Sequence, residues 1–170
     1  MIIGDRISLI PMNDEIFNLT LKWINIPEIR YLTNSRFPVN EYEHKIWFDS
    51  KATDKYLKFY GIKENETGKT IGVVGLNDYD PISRNACPFM YIGDKMNQGK
   101  GYGTEALKLF ISFLKNEMNV RRIYVYVADY NPGSLSMLMK CGFVVEGKMN
   151  KHWYKDGSYH DVIIAGLIIE

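Results

Sequence analysis

Apolar residues recur along this chain with two distinct periods, and the periods divide it into elements. Alternation of period two marks strands at Arg6 to Ile10 and Arg122 to Val127, Tyr56 to Lys63 and Thr70 to Leu76 read as paired strands, and the apolar run that ends Ala86 to Ile92 reads as another. Phe143 to Tyr154 and Ser158 to Ile168 read as a closing hairpin around Lys155-Asp156-Gly157, a strong turn signal. Helical spacing of Leu107, Phe110, Ile111, Leu114 and Met118 predicts a helix from Glu105 to Met118 with one face toward a core. Asn13 caps a helix that runs to about Trp23. Pro27 interrupts it, and Glu28 to Leu32 makes a further turn or short helix. Asn40 caps a helix from Glu41 to about Ala52, with Tyr42, Ile46 and Trp47 on one side. Asn131 and Pro132 open a short helix to Lys140, and Gly142 follows its end. Glu64 to Lys69 is a hairpin turn, and Asn77 to Asn85, rich in turn formers, is a loop. The order is β-α-α-β-β-β-α-β-α-β-β. It predicts an α/β (α+β) fold on a mixed, mostly antiparallel sheet of about seven strands, in one domain over residues 1–170.

Composition narrows the function classes. The chain has 170 residues, 46% of them hydrophobic, which suffices for one substantial core. Its 21 basic and 20 acidic residues leave a net charge of +1, so no strong field exists to recruit nucleic acid or an anionic membrane. Cys87 and Cys141 give no disulfide framework, and Met1 to Arg6 lacks the basic and long apolar regions of a signal peptide. A reducing cytoplasm is the expected compartment. No His, Cys, Asp and Glu spacing suggests a metal.

The candidate chemistry lies in Asn97-Gln98-Gly99-Lys100-Gly101-Tyr102-Gly103-Thr104, between the strand ending at Ile92 and the long helix. Glycines at such a junction let the backbone turn tightly and point its N–H groups outward. With the positive helix end they make a cradle for a pyrophosphate. A P-loop needs a Gly-Lys-Ser/Thr string that is absent here. A dinucleotide fingerprint needs its third glycine one residue later. What remains is Gln-x-x-Gly-x-Gly, met as Gln98 to Gly103, and it resembles the acyl-CoA loop of the GNAT superfamily of N-acetyltransferases. The string Asn131-Pro132-x-Ser134-x-x-x-Leu138-x-Lys140-x-Gly142-Phe143 is similar to the second half of that family's core. Its likeness is to the branch with ribosomal-protein N-terminal acetyltransferases, spermidine acetyltransferases and amino-sugar acetyltransferases. Within it, the ribosomal-protein (RimJ/RimL) type is the expected one.

The resemblance implies direct transfer of an acetyl group from acetyl-CoA to a primary amine. It implies that Met90, Tyr91 and Ile92 grip the pantetheine arm, with an N–H near Tyr91 polarising the thioester carbonyl. Gln98, Gly99, Lys100, Gly101, Tyr102, Gly103 and Thr104 would hold the pyrophosphate through backbone amides. Asn131 would contact the pantetheine or simply cap its helix, and Lys140 would approach the 3′-phosphate or complement the helix dipole. Ser134 matches the position of a serine that protonates the leaving thiolate in the ribosomal-protein branch, with Ser136 as the weaker alternate. Other members place a tyrosine acid where this chain has Leu138.

The base departs from the pattern. Many relatives carry Glu at the position of Cys87, which reads here as inert packing. A water chain, or Glu28, Asp78 or Asp80, is left for that role, and a weak base favours an α-amine or amino sugar over an alkylamine. Residues 23–36, 77–85 and 149–159 should supply the acceptor pocket. Glu28, Arg30, Arg84, Trp153 and Tyr154 are its candidates, beside Tyr31, Arg36, His152 and His160. His44 reads as packing or solvent-facing. The acceptor classes are a protein N-terminus, an amino sugar (free or nucleotide-linked) and a small amine. A non-catalytic acyl-CoA-binding module is the alternative from another class. The closing hairpin, with the family likeness, makes a homodimer the assembly to consider.

Overall fold

Each strand places its alternate side chains on opposite faces of one sheet, and helices cover both faces. The computed structural model describes residues 1–170. Strands are β1 (Ile2–Ile3), β2 (Ile7–Pro11), β3 (Phe59–Glu64), β4 (Thr70–Asp80), β5 (Asn85–Ile92), β6 (Arg122–Ala128), β7 (Val144–Lys155) and β8 (Ser158–Ile168). Helices are α1 (Asp14–Ile24), α2 (Pro27–Leu32), α3 (Glu41–Thr53), α4 (Tyr102–Met118) and α5 (Pro132–Lys140). The sheet order is β1-β2-β3-β4-β5-β6-β8-β7, antiparallel throughout except for β5 beside β6.

Neighbouring residues of β4 show how the faces divide. Val74 packs with Leu107, Phe110 and Leu114 of α4 in the larger core, together with Ile7, Leu9, Ile62, Ile71 and Ile123. Val73 points the other way, into a smaller cluster with Ile16, Trp23, Ile29 and Phe59 under α1 and α2. Burying a side chain such as Phe110 contributes on the order of 2 kcal/mol. Gly93, just past β5, lies flush against the Trp23 indole, where a Cβ would sit 2.0 Å from a ring carbon. Any side chain there would push α1 off the sheet.

Several expected boundaries shift, each for a local reason. There are eight strands rather than about seven, because β1 is two residues long and too short to show a period. Asp54 Oδ1 accepts the Tyr56 and Leu57 N–H groups at 2.7 Å, which turns the chain and delays β3 to Phe59. The β4 ladder continues to Asp80, opposite Asn85, so the expected loop at 77–85 shrinks to residues 81–84. Gly101, with φ of 86°, starts α4 at Tyr102, three residues earlier than the apolar spacing indicates.

Candidate active site

The parallel pair β5–β6 holds for only two residues, Asn85 opposite Arg122 and Ala86 opposite Ile123, before the strands part. Two features open them. β4 carries an extra residue, Asn77, between Leu76 (opposite Pro88) and Asp78 (opposite Cys87), and such a bulge bends the pair. Lys51 of α3 reaches this point and donates its Nζ to Leu76 O at 2.8 Å. Pro88 is the next residue whose N–H would have to face β6, and proline has none, so the ladder stops there.

The hydrogen-bond pattern fixes which groups face the opening. Arg122 N–H donates to Arg84 O, and Gly93 N–H donates to Ile71 O of β4. By the period of two, even-numbered residues of β5 turn their backbone toward β6 and odd-numbered ones toward β4. Met90 and Ile92 therefore present N–H groups to the gap. Tyr91 does not: its backbone pairs with Val73. The N–H of Tyr91 itself is therefore turned away from the gap, and the neighbouring N–H groups that face it are those of Met90 and Ile92. The Tyr91 side chain instead packs edge-on to Trp23, and burial pushes its phenol pKa up.

The glycine loop follows directly. Gln98 donates its Nε2 to Ile92 O at 2.9 Å, which ties the loop to the strand end and leaves the Met90 groups and the Ile92 N–H for a ligand. Gly99 and Gly101 have φ of 74° and 86°, a region where L side chains are strained. The amides of residues 99–104 donate to no acceptor within the chain. Six such donors at the start of a 17-residue helix suit a diphosphate. Arg6 and Glu105 brace the loop from behind. Arg6 Nη1 donates to Lys100 O at 3.2 Å, while Glu105 accepts Arg6 Nε at 2.8 Å and Arg6 N at 2.7 Å. The Lys100 ammonium is turned to Asn97 Oδ1 at 3.2 Å, and the Tyr102 hydroxyl donates to Glu64. Thr104 O accepts the Cys141 thiol at 3.7 Å, which joins α4 to α5.

On the far side of the gap, α5 presents Asn131 and Ser134. Asn131 is the helix cap: its Oδ1 accepts Ser134 N–H at 3.1 Å, while Nδ2 donates to Leu32 O at 3.3 Å. The Ser134 hydroxyl makes no hydrogen bond within the chain and lines the cavity described next. Ser136 is exposed and faces away. Lys140 is exposed in the last turn of α5.

The gap widens into a cavity of about 680 Å³ bounded by α1, α3, β5, β6, α5 and the segment 32–35. Cys87, Met90, Tyr91, Asn131, Ser134 and Trp153 line it. Glu28, Arg30, Arg84 and Tyr154 do not. Arg84 sits at the opposite end of β5 with its guanidinium donating to Asn119 O and Oδ1, the C-cap of α4. Tyr154 is exposed beside Tyr159, and Glu28 is exposed in the first turn of α2. Asp80 caps the 81–84 turn through Ile82 N and Ser83 N, and Asp78 accepts the Tyr124 hydroxyl at 2.8 Å. Neither lines the cavity.

The wall holds residues the sequence reading did not place in a site: His44 and Trp47 of α3, read there as helix packing, and Glu43 of α3, Thr20 of α1 and Asn34, whose Oδ1 is buried without a partner. The capping box of Asn40 with Glu43 places these α3 residues, and its Asn-x-x-Glu string was the available signal. Burial, with Asp78 nearby, pushes the Cys87 thiol up to about 11, so it holds its proton at neutral pH and is no nucleophile. No group of three or more His, Cys, Asp or Glu is placed to hold a metal, and no helix is long and apolar enough to cross a membrane.

A parted parallel pair beside an amide-rich loop is the arrangement that the resemblance to acetyltransferases implies for acyl-CoA binding. Comparison with known proteins agrees. The family model described as acetyltransferase (GNAT) domain matches residues 6–144, and the chain belongs to that family. It is 26% identical over 157 residues to a spermidine N(1)-acetyltransferase of Vibrio cholerae, covering 85% of this chain and 89% of that protein. It is 29% identical to a ribosomal-protein-serine acetyltransferase of Escherichia coli, over 68% of this chain and 63% of that one. The fold matches the crystal structure of a Vibrio cholerae spermidine N-acetyltransferase in complex with CoA and spermine. The TM-score is 0.89 at 21% identity, over 97% and 96% of the two chains. The chain is an acetyl-CoA-dependent N-acetyltransferase. Relatives of both the spermidine and the ribosomal-protein type match it, so the RimJ/RimL branch is not singled out.

Proposed function

We propose that this enzyme acetylates the primary amine of a small molecule with an apolar body. The charge make-up of the cavity carries this reading. Among its 26 lining residues there is one carboxylate, Glu43, and no lysine or arginine. Such a wall accepts a cation and offers nothing to a phosphate, which disfavours a nucleotide-linked sugar. Trp47, Phe89 and Trp153 supply apolar surface. The named activity of the Vibrio cholerae relative, on spermidine, is also on a small amine. A polyamine brings several cations where this wall has one carboxylate, so a monoamine fits better.

In this reading the amides of residues 99–104 hold the diphosphate of acetyl-CoA, and Lys140 reaches for its 3′-phosphate. The Met90 and Ile92 N–H groups face the thioester oxygen, and one such donor is worth roughly 3 kcal/mol when aimed at the developing oxyanion. Ser134 relays a proton to the departing sulfur. A second copy of the chain is the partner that fits the exposed Val144, Val145 and Tyr159 of the β7–β8 hairpin. The test is release of CoA thiol with a panel containing 2-phenylethylamine, spermidine, glucosamine, UDP-linked amino sugar and a Ser-initiated peptide. The reading predicts the highest kcat/KM for the arylalkyl monoamine. A preference for the nucleotide sugar or the peptide contradicts it.

A further inference from the structure

An amine acetyltransferase needs a proton acceptor, and the residue many relatives use is Cys87 here. We propose that His44 is the general base, its Nδ1 taking the proton from the acceptor ammonium directly or through one water. This rests on the reading of the cavity as the amine site.

The tautomer follows from the neighbours. His44 Nε2 lies 3.1 Å from Phe17 O and 3.0 Å from Thr20 Oγ1. A carbonyl only accepts, so Nε2 carries the hydrogen. The Thr20 hydroxyl is free to accept it because its own hydrogen goes to Ile16 O at 2.7 Å. Nδ1 is then an unprotonated lone pair. It has no hydrogen-bond partner within the chain, it is not among the sealed unpartnered polar atoms (Asn34 Oδ1 and Tyr130 OH), and His44 lines the cavity. The ring itself is fixed. Phe17 lies 4.9 Å away and Trp47 5.5 Å away, ring centre to ring centre, and Trp47 packs in turn on Phe89 of β5. A buried imidazole with one nitrogen anchored by two acceptors and the other bare is built to receive a proton.

The groups that pack on His44, namely Phe17 and Thr20 of α1 and Trp47 and Phe48 of α3, carry no charge. The other ionisable groups on the cavity wall are Glu43, Cys87, Tyr91 and Tyr126. Burial lowers the His44 pKa below its usual 6.5, so the ring is neutral at pH 7. Its contribution to the rate is present above that lowered value and lost as pH falls through it. Cys87 holds its proton until about 11, and phenols as a class hold theirs at neutral pH. Carboxylates, with reference values near 4, are weaker bases than imidazole.

The balance closes. The ammonium gives one proton to His44, which passes it to solvent. The neutral nitrogen forms the C–N bond to the acetyl carbon as the C–S bond breaks. The second nitrogen proton ends on the departing sulfur through the Ser134 hydroxyl. The products are an N-acetyl amine, CoA thiol and one released proton.

The test compares the wild-type enzyme with His44→Gln, which keeps a donor toward Phe17 O, using acetyl-CoA and 2-phenylethylamine from about pH 6 to 10. The expected result is a roughly 100-fold loss of kcat/KM near neutral pH with unchanged acetyl-CoA affinity. The deficit should shrink toward high pH, where neutral amine forms without help. Equal rates and equal pH profiles for the two enzymes overturn the assignment. Absence of turnover in the wild type with any amine, at any pH, instead sinks the underlying substrate reading. A second readout needs neither the variant nor an acceptor: long-range nitrogen NMR of the wild-type histidines. It should show His44 with Nε2 protonated and Nδ1 bare at neutral pH. A protonated Nδ1 overturns the proposal outright.

Discussion

In the proposed reading, the two halves of the active site are made of different material. The donor half is backbone: six free amides at residues 99–104 and the gap-facing groups of Met90 and Ile92. The acceptor half is side chains, drawn from α1, α3, the 32–35 segment and β7, residues far apart in sequence. A backbone site tolerates side-chain change wherever φ is kept, whereas a side-chain site changes its ligand with single substitutions. A ligand shared by relatives with different acceptors suits the first construction, and the variable acceptor suits the second.

The sharpest break is Gly101→Glu. A side chain at φ of 86° is strained by about 1–2 kcal/mol, and a carboxylate beside the diphosphate adds like-charge repulsion. Acetyl-CoA affinity by calorimetry should fall roughly 100-fold or more while circular dichroism stays native. On the acceptor side of the gap, Ser134→Ala should cut kcat by about 100-fold without changing acetyl-CoA affinity. An unchanged kcat would mean that the proton reaches sulfur by another route. Asn131→Ala tests the seam between the halves, since this residue caps α5 and holds Leu32 O. Loss of the cap should cost about 1 kcal/mol, lowering Tm by roughly 2–4 °C, and freeing the 32–35 segment should raise the amine KM. The smallest effect is expected for Cys87→Ala. A thiol that titrates near 11 is not ionised at working pH, so kcat should stay within about twofold and its pH profile should be superimposable. A large loss would put the thiol in the chemistry.

This division also explains what the sequence discloses. Gln98 to Thr104 and Asn131 to Phe143 form local strings in which spacing alone carries the geometry, so the donor half is legible. So is the α+β order, because Leu107 to Leu114 show a helical period and the strands read as alternating or continuous apolar runs between turn signals. Pro88 was a readable sign of the strand parting, since a proline inside an inner strand must mark lost pairing. The sequence reading puts the gap-facing N–H near Tyr91, and in a strand one residue is the difference between the two edges: Met90 and Ile92 face the gap and Tyr91 faces β4. The acceptor half depends on which distant side chains converge. Arg84 and Arg30 have the right chemistry for a pocket and the wrong places. Arg84 is spent on the α4 C-cap, and Arg30 offers only its carbonyl, to Lys155. His44 looked like packing because it is packed: it is 3% exposed, and only its tautomer and the adjoining cavity reveal the free nitrogen.

The claim that the donor is held by backbone rather than by cationic side chains is tested most directly by titrating CoA into the wild type, Lys100→Ala and Lys140→Ala. The account predicts tight binding by the wild type and less than about tenfold weakening in either variant, as befits a single exposed charge. Loss of binding on removal of the Lys100 ammonium alone, or a folded wild type that gives no heat with CoA, would contradict it.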